Sequence, residues 1–471
     1  MLKLKNHIPL LLIITAISSF LATYGNWDIF KLAIYGSAFD SLAQNLLQLS
    51  AEVDAKAIGN EAMVIGDKYF MYYGPFPALL RLLLNLINPE NYGNWTCFSK
   101  LLAYFMTLFF FSKICLLALK QNSNLNEATK SKISTVAILT LAFASPLFYL
   151  VIHNTIYSEC ISWGLSFSIA AIYFYLKDLS QSDDSNLVAM GLFTGLAILA
   201  KLTFALPLCS LVIYKLMQKK VFSKPQILIC LVPLIILGTF QLWYNQARFG
   251  KLWQVYDTKA RSVNAQSPAK TRSYKLAFFD LNRIPEQLKF YFSVDFKQIQ
   301  SESFPYLQVY RNKLDDIEKY AINAAIFPLS LSSSLILLLA LAGLLAAARN
   351  KESLIPLGFL VIQVILVLSF RCVFYRYQAE FIPLLVYLSF FSLRELKGLK
   401  NLGFAAVILL LIFNSYCSIF SSISRTALYD RSGKEKMKAR YFLMDPKAKE
   451  LHDQGHPIFK TNSPTSGQPE S

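Results

Sequence analysis

Leu187 to Leu216, LVAMGLFTGLAILAKLTFALPLCSLVIYKL, is an almost unbroken apolar run with one cation, Lys201, near its middle. A helix needs about 20 apolar residues to cross a bilayer. The run is therefore either one tilted span or two short helices folded back at Lys201. The rest of the chain sets the class: 55% hydrophobic and 16% charged residues over 471 positions leave too few polar groups to solvate a globular surface. This is an all-α polytopic membrane protein. Further spans are expected at 8–24, 96–119, 133–152, 155–176, 226–244, 326–347, 353–370, 377–393 and 402–421.

Charge decides between the two readings of 187–216. Lys and Arg cluster at the N-terminus and in Lys120–Lys132, Lys215–Lys224, Arg349–Lys351 and Arg394–Lys400. Cytoplasmic loops carry such an excess, and only a hairpin at Lys201 keeps all of them on one side. The result is about 11 crossings with a cytoplasmic N-terminus. One domain is expected over 1–421, with outer loops at 25–95 and 245–325, followed by a polar tail over 422–471 on the outer side. The tail holds nine Lys/Arg against six Asp/Glu, so a cytoplasmic tail stays open as well.

The net charge of +17 reads as topology signal and attraction to anionic lipid, and nucleic acid is not an expected partner. No small-residue cleavage site follows Phe20, so the first apolar run is read as an uncleaved helix. The seven cysteines form no CxxC pair and read as small buried hydrophobes. Cys97 and Cys372 fall near the same face, where a disulfide could form. Low complexity is confined to Ser463–Ser471.

In the first outer loop, GSAFDSLAQNLL (Gly36 to Leu47) places Phe39, Leu42, Leu46 and Leu49 at helical spacing and Asp40, Gln44 and Gln48 on another face. Residues 38–49 are expected to lie along the membrane surface as an amphipathic helix. Asp40 then has two readings: the third helical residue of a capping box begun by Ser37, or an interfacial carboxylate that deprotonates an acceptor hydroxyl. GDKYFMYYGPFPALL (Gly66 to Leu80) reads as a hairpin turning at Gly66-Asp67, then a break, then an apolar helix. Arg81 and Asn85 share a face of that helix. Membrane anchoring by snorkelling is the expectation for Arg81, and Tyr72 and Tyr73 read as interface-belt or sugar-stacking aromatics.

Glu159 in HNTIYSE (His153 to Glu159) is either a functional acid in a span or, with His153, a helix cap. Lys201 is either a snorkelling cation or a ligand for a lipid-linked phosphate. In FRCVFYRYQAEFIPLL (Phe370 to Leu385), Arg371 and Arg376 face outward against the positive-inside bias. They could grip a phosphate through forked hydrogen bonds, or Arg376 could pair with Glu380 four residues on.

The order of these elements, together with WYNQARFG (Trp243 to Gly250), resembles the GT-C superfamily of integral membrane glycosyltransferases, which includes bacterial aminoarabinose transferases and protein O-mannosyltransferases. The resemblance covers most of the chain. It implies a multi-helix bundle with its site at the outer leaflet of the bacterial cytoplasmic membrane, a polyprenyl-phosphate sugar donor entering from the bilayer, and an envelope acceptor (glycolipid, polysaccharide or protein). It makes Asp40 and Glu159 the catalytic candidates and Lys201, Arg371 and Arg376 the donor-phosphate ligands. Tyr72, Tyr73, Arg248 and Glu380 become the substrate-binding candidates. Ser41 stands where some members carry a second acid, so no obligatory metal is expected, with a divalent ion as the alternative. Residues 251–325 are expected to lie over the site as a lid.

The rival reading is a lipid or solute transporter, with Lys100, Lys113 and Lys201 marking a path through the membrane. Against it, no repeated halves are evident, and the informative residues gather on one side. A noncatalytic scaffold is the third class.

Overall fold

The computed structural model describes residues 5, 7–218, 225–254, 261–262, 277–294, 322–323, 327–349, 351–397 and 401–427. Most of the expected lid, the basic stretch 219–224 and the tail beyond 427 lie outside the described residues. The protein is mostly α-helical, and each predicted span is helical. The first half runs α1 (Ile8–Ala22), α2 (Ala38–Leu46), α3 (Ala55–Ile58), β1 (Met63–Ile65), β2 (Lys68–Phe70), α4 (Phe76–Ile87), α5 (Thr96–Gln121), α6 (Glu127–Phe143), α7 (Pro146–Ile152) and α8 (Ile156–Ser180). It continues through α9 (Asp184–Ala200), α10 (Ala205–Gln218), α11 (Pro225–Phe249), β3 (Arg261–Ser262), α12 (Ile284–Phe292) and β4 (Ile322–Asn323). The chain closes with α13 (Leu329–Ser332), α14 (Ser334–Ala347), α15 (Lys351–Ser369), β5 (Cys372–Val373), a 3₁₀ stretch Tyr375–Phe381, α16 (Ile382–Glu395) and α17 (Asn401–Ala427).

The stretch 187–216 is two helices, and contacts at both ends make it a hairpin. Asp178, at the end of α8, holds the start of α9 by accepting from the backbone N–H of Asp183 at 3.1 Å, and it pairs with Lys215 near the end of α10 at 3.1 Å. The chain therefore leaves that end of the bundle and returns to it, with Lys201 at the far apex. At the same end Gln121 meets Ser180, and Asn122 donates to the carbonyls of Leu393 and Leu396. Helix ends meeting in this alternation are what the expected crossing pattern requires.

Helices α5 and α8, with α17, are long and apolar enough to cross a bilayer, and α6 with α7 qualifies as one span bent by 51°. The predicted single span 133–152 is broken there because Ser145 leaves the helix to cap α7, accepting from Leu147 N, and Pro146 starts the next helix. These helices make the protein an integral multi-pass membrane protein. Cys97 and Cys372 are both buried free thiols, so the conceivable disulfide is not formed.

The hairpin in the first outer loop follows its prediction. Ile65 pairs with Lys68 across Gly66-Asp67, and Gly66 has φ +62°, the left-handed conformation that glycine adopts without a Cβ clash. From the second outer loop, β3 adds to the other edge of β1. Gly74 has a different reason to be glycine: a Cβ there would lie 2.1 Å from the Leu199 carbonyl oxygen. This close approach presses the Tyr72–Tyr73 turn against the apex that carries Lys201.

Gly74→Ala should therefore lower the stability of the detergent-solubilised protein by about 1–3 kcal/mol. Gly238→Ala, which adds a Cβ with nothing within 4 Å, serves as the control. Equal thermal unfolding of the two variants would show that the turn does not pack against α9 in this way.

Candidate active site

Two groups of polar side chains meet at the apex end of the bundle. The first is a buried ion cluster between α2, α4 and α8. Arg81, Asp40 and Glu159 are all wholly buried. The Arg81 guanidinium lies 2.7 Å from Glu159 Oε1 and donates from Nη2 to Oε2 at 2.9 Å. Its Nε is 3.5 Å from Asp40 Oδ2. An unpaired buried charge costs several kcal/mol, so an arginine is stable here only because both acids face it. The expected snorkelling role of Arg81 is thereby overturned: the buried face of α4, carrying Pro77, Ala78, Arg81 and Leu84, turns it inward.

Neither acid is a helix cap. Ser37 occupies the N-cap position of α2 without a side-chain capping bond, and Thr155 caps α8. His153 bonds instead to Ser158 Oγ at 2.8 Å. Asp40 accepts from Asn85 Nδ2 at 2.9 Å, while Asn85 Oδ1 accepts from the Trp95 indole N–H at 2.7 Å. An indole can only donate, so the amide oxygen must face Trp95 and the amide N–H must face Asp40. The relay thus presents a donor to the carboxylate. Burial raises the Asp40 pKa above the ordinary aspartate value, and Arg81 and Asn85 pull it partly back. Asp40 Oδ2 and Arg81 Nη1 are buried and have no hydrogen-bond partner among the described residues.

The second group is a cluster of tyrosines and cations. Arg376 sits over the rings of Phe374 at 4.0 Å, Tyr157 at 4.5 Å and Tyr377 at 5.3 Å. Lys201 lies over the same Tyr377 ring at 4.7 Å. Tyr73 packs on Tyr72 at 4.2 Å and on Tyr157 at 5.6 Å between ring centres, and its hydroxyl donates to that of Tyr72. These tyrosines therefore belong to the cluster rather than to a surface belt. Burial raises the pKa of both Tyr72 and Tyr73 well above the usual tyrosine value, so both keep their protons. The two groups join at the first turn of α8, where Tyr157 meets Arg376 and Tyr73 and Glu159 meets Arg81.

Several candidates stand elsewhere than expected. Glu380 does not pair with Arg376: it binds Lys201, accepts from Thr203 at 2.7 Å and from Gln363 at 2.9 Å, and is buried. Its place is beside Lys201, because the 3₁₀ stretch 375–381 does not bring residues four apart onto one face as an α-helix does. The Arg371 guanidinium lies 4.0 Å from the Phe278 ring centre. Arg248 is buried and donates to the Met71 carbonyl at 2.7 Å and to Asn245 at 2.8 Å. It holds the backbone that leads into Tyr72 and Tyr73. Lys100 donates to the carbonyls of Leu150, Val151 and His153 at the end of α7, and Lys113 lies over the Phe109 and Tyr173 rings. Both lysines have local structural uses.

Sequence reasoning missed Glu61, which accepts from Tyr72 at 3.4 Å and bonds to Tyr157. Nothing in GNEAMV marks it, because its partners lie 11 residues away and across the bundle. A divalent ion does not fit the ion cluster: the Arg81 guanidinium already fills the place between the two carboxylates. Among the described residues no three His, Cys, Asp or Glu gather.

No family model and no curated protein matches the chain. Among solved structures, ArnT from Cupriavidus metallidurans bound to undecaprenyl phosphate is similar at 12% identity and TM-score 0.48, covering 86% of this chain and 62% of that one. The archaeal oligosaccharyltransferase AglB from Archaeoglobus fulgidus, in complex with an inhibitory peptide and a dolichol-phosphate, is similar at 12% identity and TM-score 0.44, covering 99% of this chain and 61% of that one. The chain thus spans about three-fifths of the length of these structures. With scores this low, nothing about donor, acceptor or catalysis is taken from them.

Arg81→Met removes the cation that lowers the Asp40 pKa and leaves the burial that raises it. If Asp40 acts as a base, the acidic limb of the activity profile should move to higher pH. Stability should fall by about 3–5 kcal/mol, as when one partner of a buried ion pair is removed. An unmoved acidic limb in a folded Arg81→Met protein would disconnect Arg81 from Asp40.

Proposed function

We propose that this chain is a GT-C-type membrane glycosyltransferase that moves a sugar from a polyprenyl-phosphate carrier to an envelope acceptor at the outer face of a bacterial cytoplasmic membrane. One observation carries the reading: Lys201 and Arg376 share the Tyr377 ring in a cluster of tyrosines at one end of an apolar helical bundle, joined through the first turn of α8 to a buried carboxylate cluster. Cations of this kind suit a phosphate, tyrosine faces suit a sugar ring, and a carboxylate suits a hydroxyl that must lose its proton.

In this reading the acceptor hydroxyl enters beside Asp40, donating to Oδ2 and accepting from Arg81 Nη1, so that two unsatisfied buried groups gain partners. Asp40 takes the proton as the acceptor oxygen bonds to the anomeric carbon. The bond from that carbon to the phosphate oxygen breaks, and its electron pair leaves with the phosphate. Lys201 and Arg376 stabilise the added negative charge. Glu159 keeps Arg81 in place, and Arg248 supports the tyrosine turn. No step needs a metal.

A second base candidate follows from exposure: Asp40 is closed off, so an acceptor reaches it only if α2 and α4 part, whereas Glu61 is partly exposed and bonds to Tyr72 and Tyr157 of the tyrosine cluster. Mass spectrometry of envelope glycolipids and glycans from a deletion strain tests both. The wild-type gene should restore a sugar-sized mass increment, and an Asp40→Asn form that inserts normally should lose it by at least about a hundredfold, the scale of general-base catalysis. Loss with Glu61→Gln and retention with Asp40→Asn would transfer the role to Glu61. Restoration by both variants would sink the carboxylate mechanism and move transport ahead.

A further inference from the structure

Toward the end of the bundle opposite Lys201, two lysines on its flank have no anionic partner among the described residues. Lys113 on α5 lies over the rings of Phe109 at 4.8 Å, Tyr173 at 5.2 Å and Phe110 at 5.8 Å, and Lys177 on α8 lies over Phe174 at 5.9 Å. The acids described at that end are placed elsewhere. Asp178 is at Lys215, Glu127 at Lys130 and Glu395 at Arg394, and neither Asp183 nor Asp184 reaches ion-pair distance of either lysine. By contrast, Lys100 is held by three carbonyls and Lys201 by Glu380. The rings beneath the two lysines form one wall: Phe110 lies 5.9 Å from Tyr173, 6.1 Å from Phe174 and 5.3 Å from Phe193 of α9. Phe109, Tyr173, Phe174 and Phe193 are half-buried, as are both lysines.

Aromatic faces hold a cation without neutralising it, and a charge within a membrane span is stable when it pairs or reaches the headgroup layer. At 1.5 Å per residue, Lys113 stands about 12 Å inside the Gln121 end of α5 and Lys177 about 5 Å inside the Ser180 end of α8. Those two ends meet. Lys177 acts electrostatically on Lys113, and two like charges in a low dielectric are stabilised by an anion between them. We propose that Lys113 and Lys177 form a binding site for one anionic phospholipid in the leaflet at this end of the bundle. The lipid phosphate lies between the two ammonium groups, and an acyl chain runs along Phe109, Tyr173 and Phe174. Basic positions between membrane helices hold lipid headgroups in this way. The site does not depend on the transferase reading, because it lies toward the opposite end from Lys201. Since Phe193 belongs to α9, a lipid held here also braces one arm of the hairpin that carries Lys201.

Native mass spectrometry of the full-length protein in detergent, titrated with phosphatidylglycerol or with phosphatidylcholine of the same acyl chains, tests the site. Wild type should hold a first phosphatidylglycerol more tightly than phosphatidylcholine. Lys113→Gln and Lys177→Gln should each weaken phosphatidylglycerol by roughly fivefold, the scale of one lysine at an anionic headgroup, and leave phosphatidylcholine unchanged. The double variant should lose the preference, and Lys113→Arg/Lys177→Arg, which keeps both charges, should retain it. Lys120→Gln is the control, since Lys120 is exposed in the last turn of α5 and should leave the first lipid in place. An equal loss with Lys120→Gln, or a preference that survives the double glutamine variant, would reduce the site to diffuse attraction toward a basic surface and overturn the proposal. Displacement of the lipid by inorganic phosphate, beyond that caused by sodium chloride of equal ionic strength, would assign the lysines to a soluble phosphate and overturn it as well. Should a glutamine variant fail to fold, the wild type still decides: a first phosphatidylglycerol held no better than phosphatidylcholine ends the proposal.

Discussion

A cation without water must be matched on every side, and the architecture around the first outer loop follows from meeting that demand at Arg81. Its guanidinium is wholly buried, so α4 can pack inward only where α2 supplies Asp40 and α8 supplies Glu159. Three segments far apart in sequence are thereby held in one arrangement. The same cluster shapes the chemistry. Two acids share one cation, and burial moves the Asp40 carboxyl toward the range in which a base is effective.

The tyrosine and cation cluster obeys a different constraint. Lys201 stands where a hairpin of apolar helices breaks, and the Gly74 turn lies too close to that break for any side chain larger than hydrogen. Backbone approach therefore sets the position of Tyr72 and Tyr73, with Arg248 holding the segment from behind. Tyr377 is the common surface for both cations. Aromatic faces can hold cations without neutralising them, which leaves Lys201 and Arg376 able to attract an anion.

How much could be read in advance varies with the range of the interaction. The helical hairpin at Lys201 and the strand turn at Gly66-Asp67 were legible because hydropathy, charge bias and turn chemistry act within a few residues. Asp40, Glu159, Lys201 and Arg376 were legible as isolated polar positions in apolar surroundings. Their partners were not. Local rules offered Ser37 as a cap companion for Asp40, headgroups for Arg81, and Arg376 for Glu380; all three yielded to contacts between residues tens to nearly 180 positions apart, such as Glu380 with Lys201.

Sequence by itself determined that this is a multi-span helical membrane protein with its informative residues toward one end, because apolar length and the placement of Lys and Arg are properties of the chain that need no neighbours. Only the tertiary structure decided which charges face one another: Arg81 with Asp40 and Glu159, and Lys201 with Glu380, while Arg376 lies over the rings of Phe374, Tyr157 and Tyr377. The physical reason is that a buried charge takes the partner that packing brings to it, and that partner is chosen by how helices meet rather than by how residues follow one another.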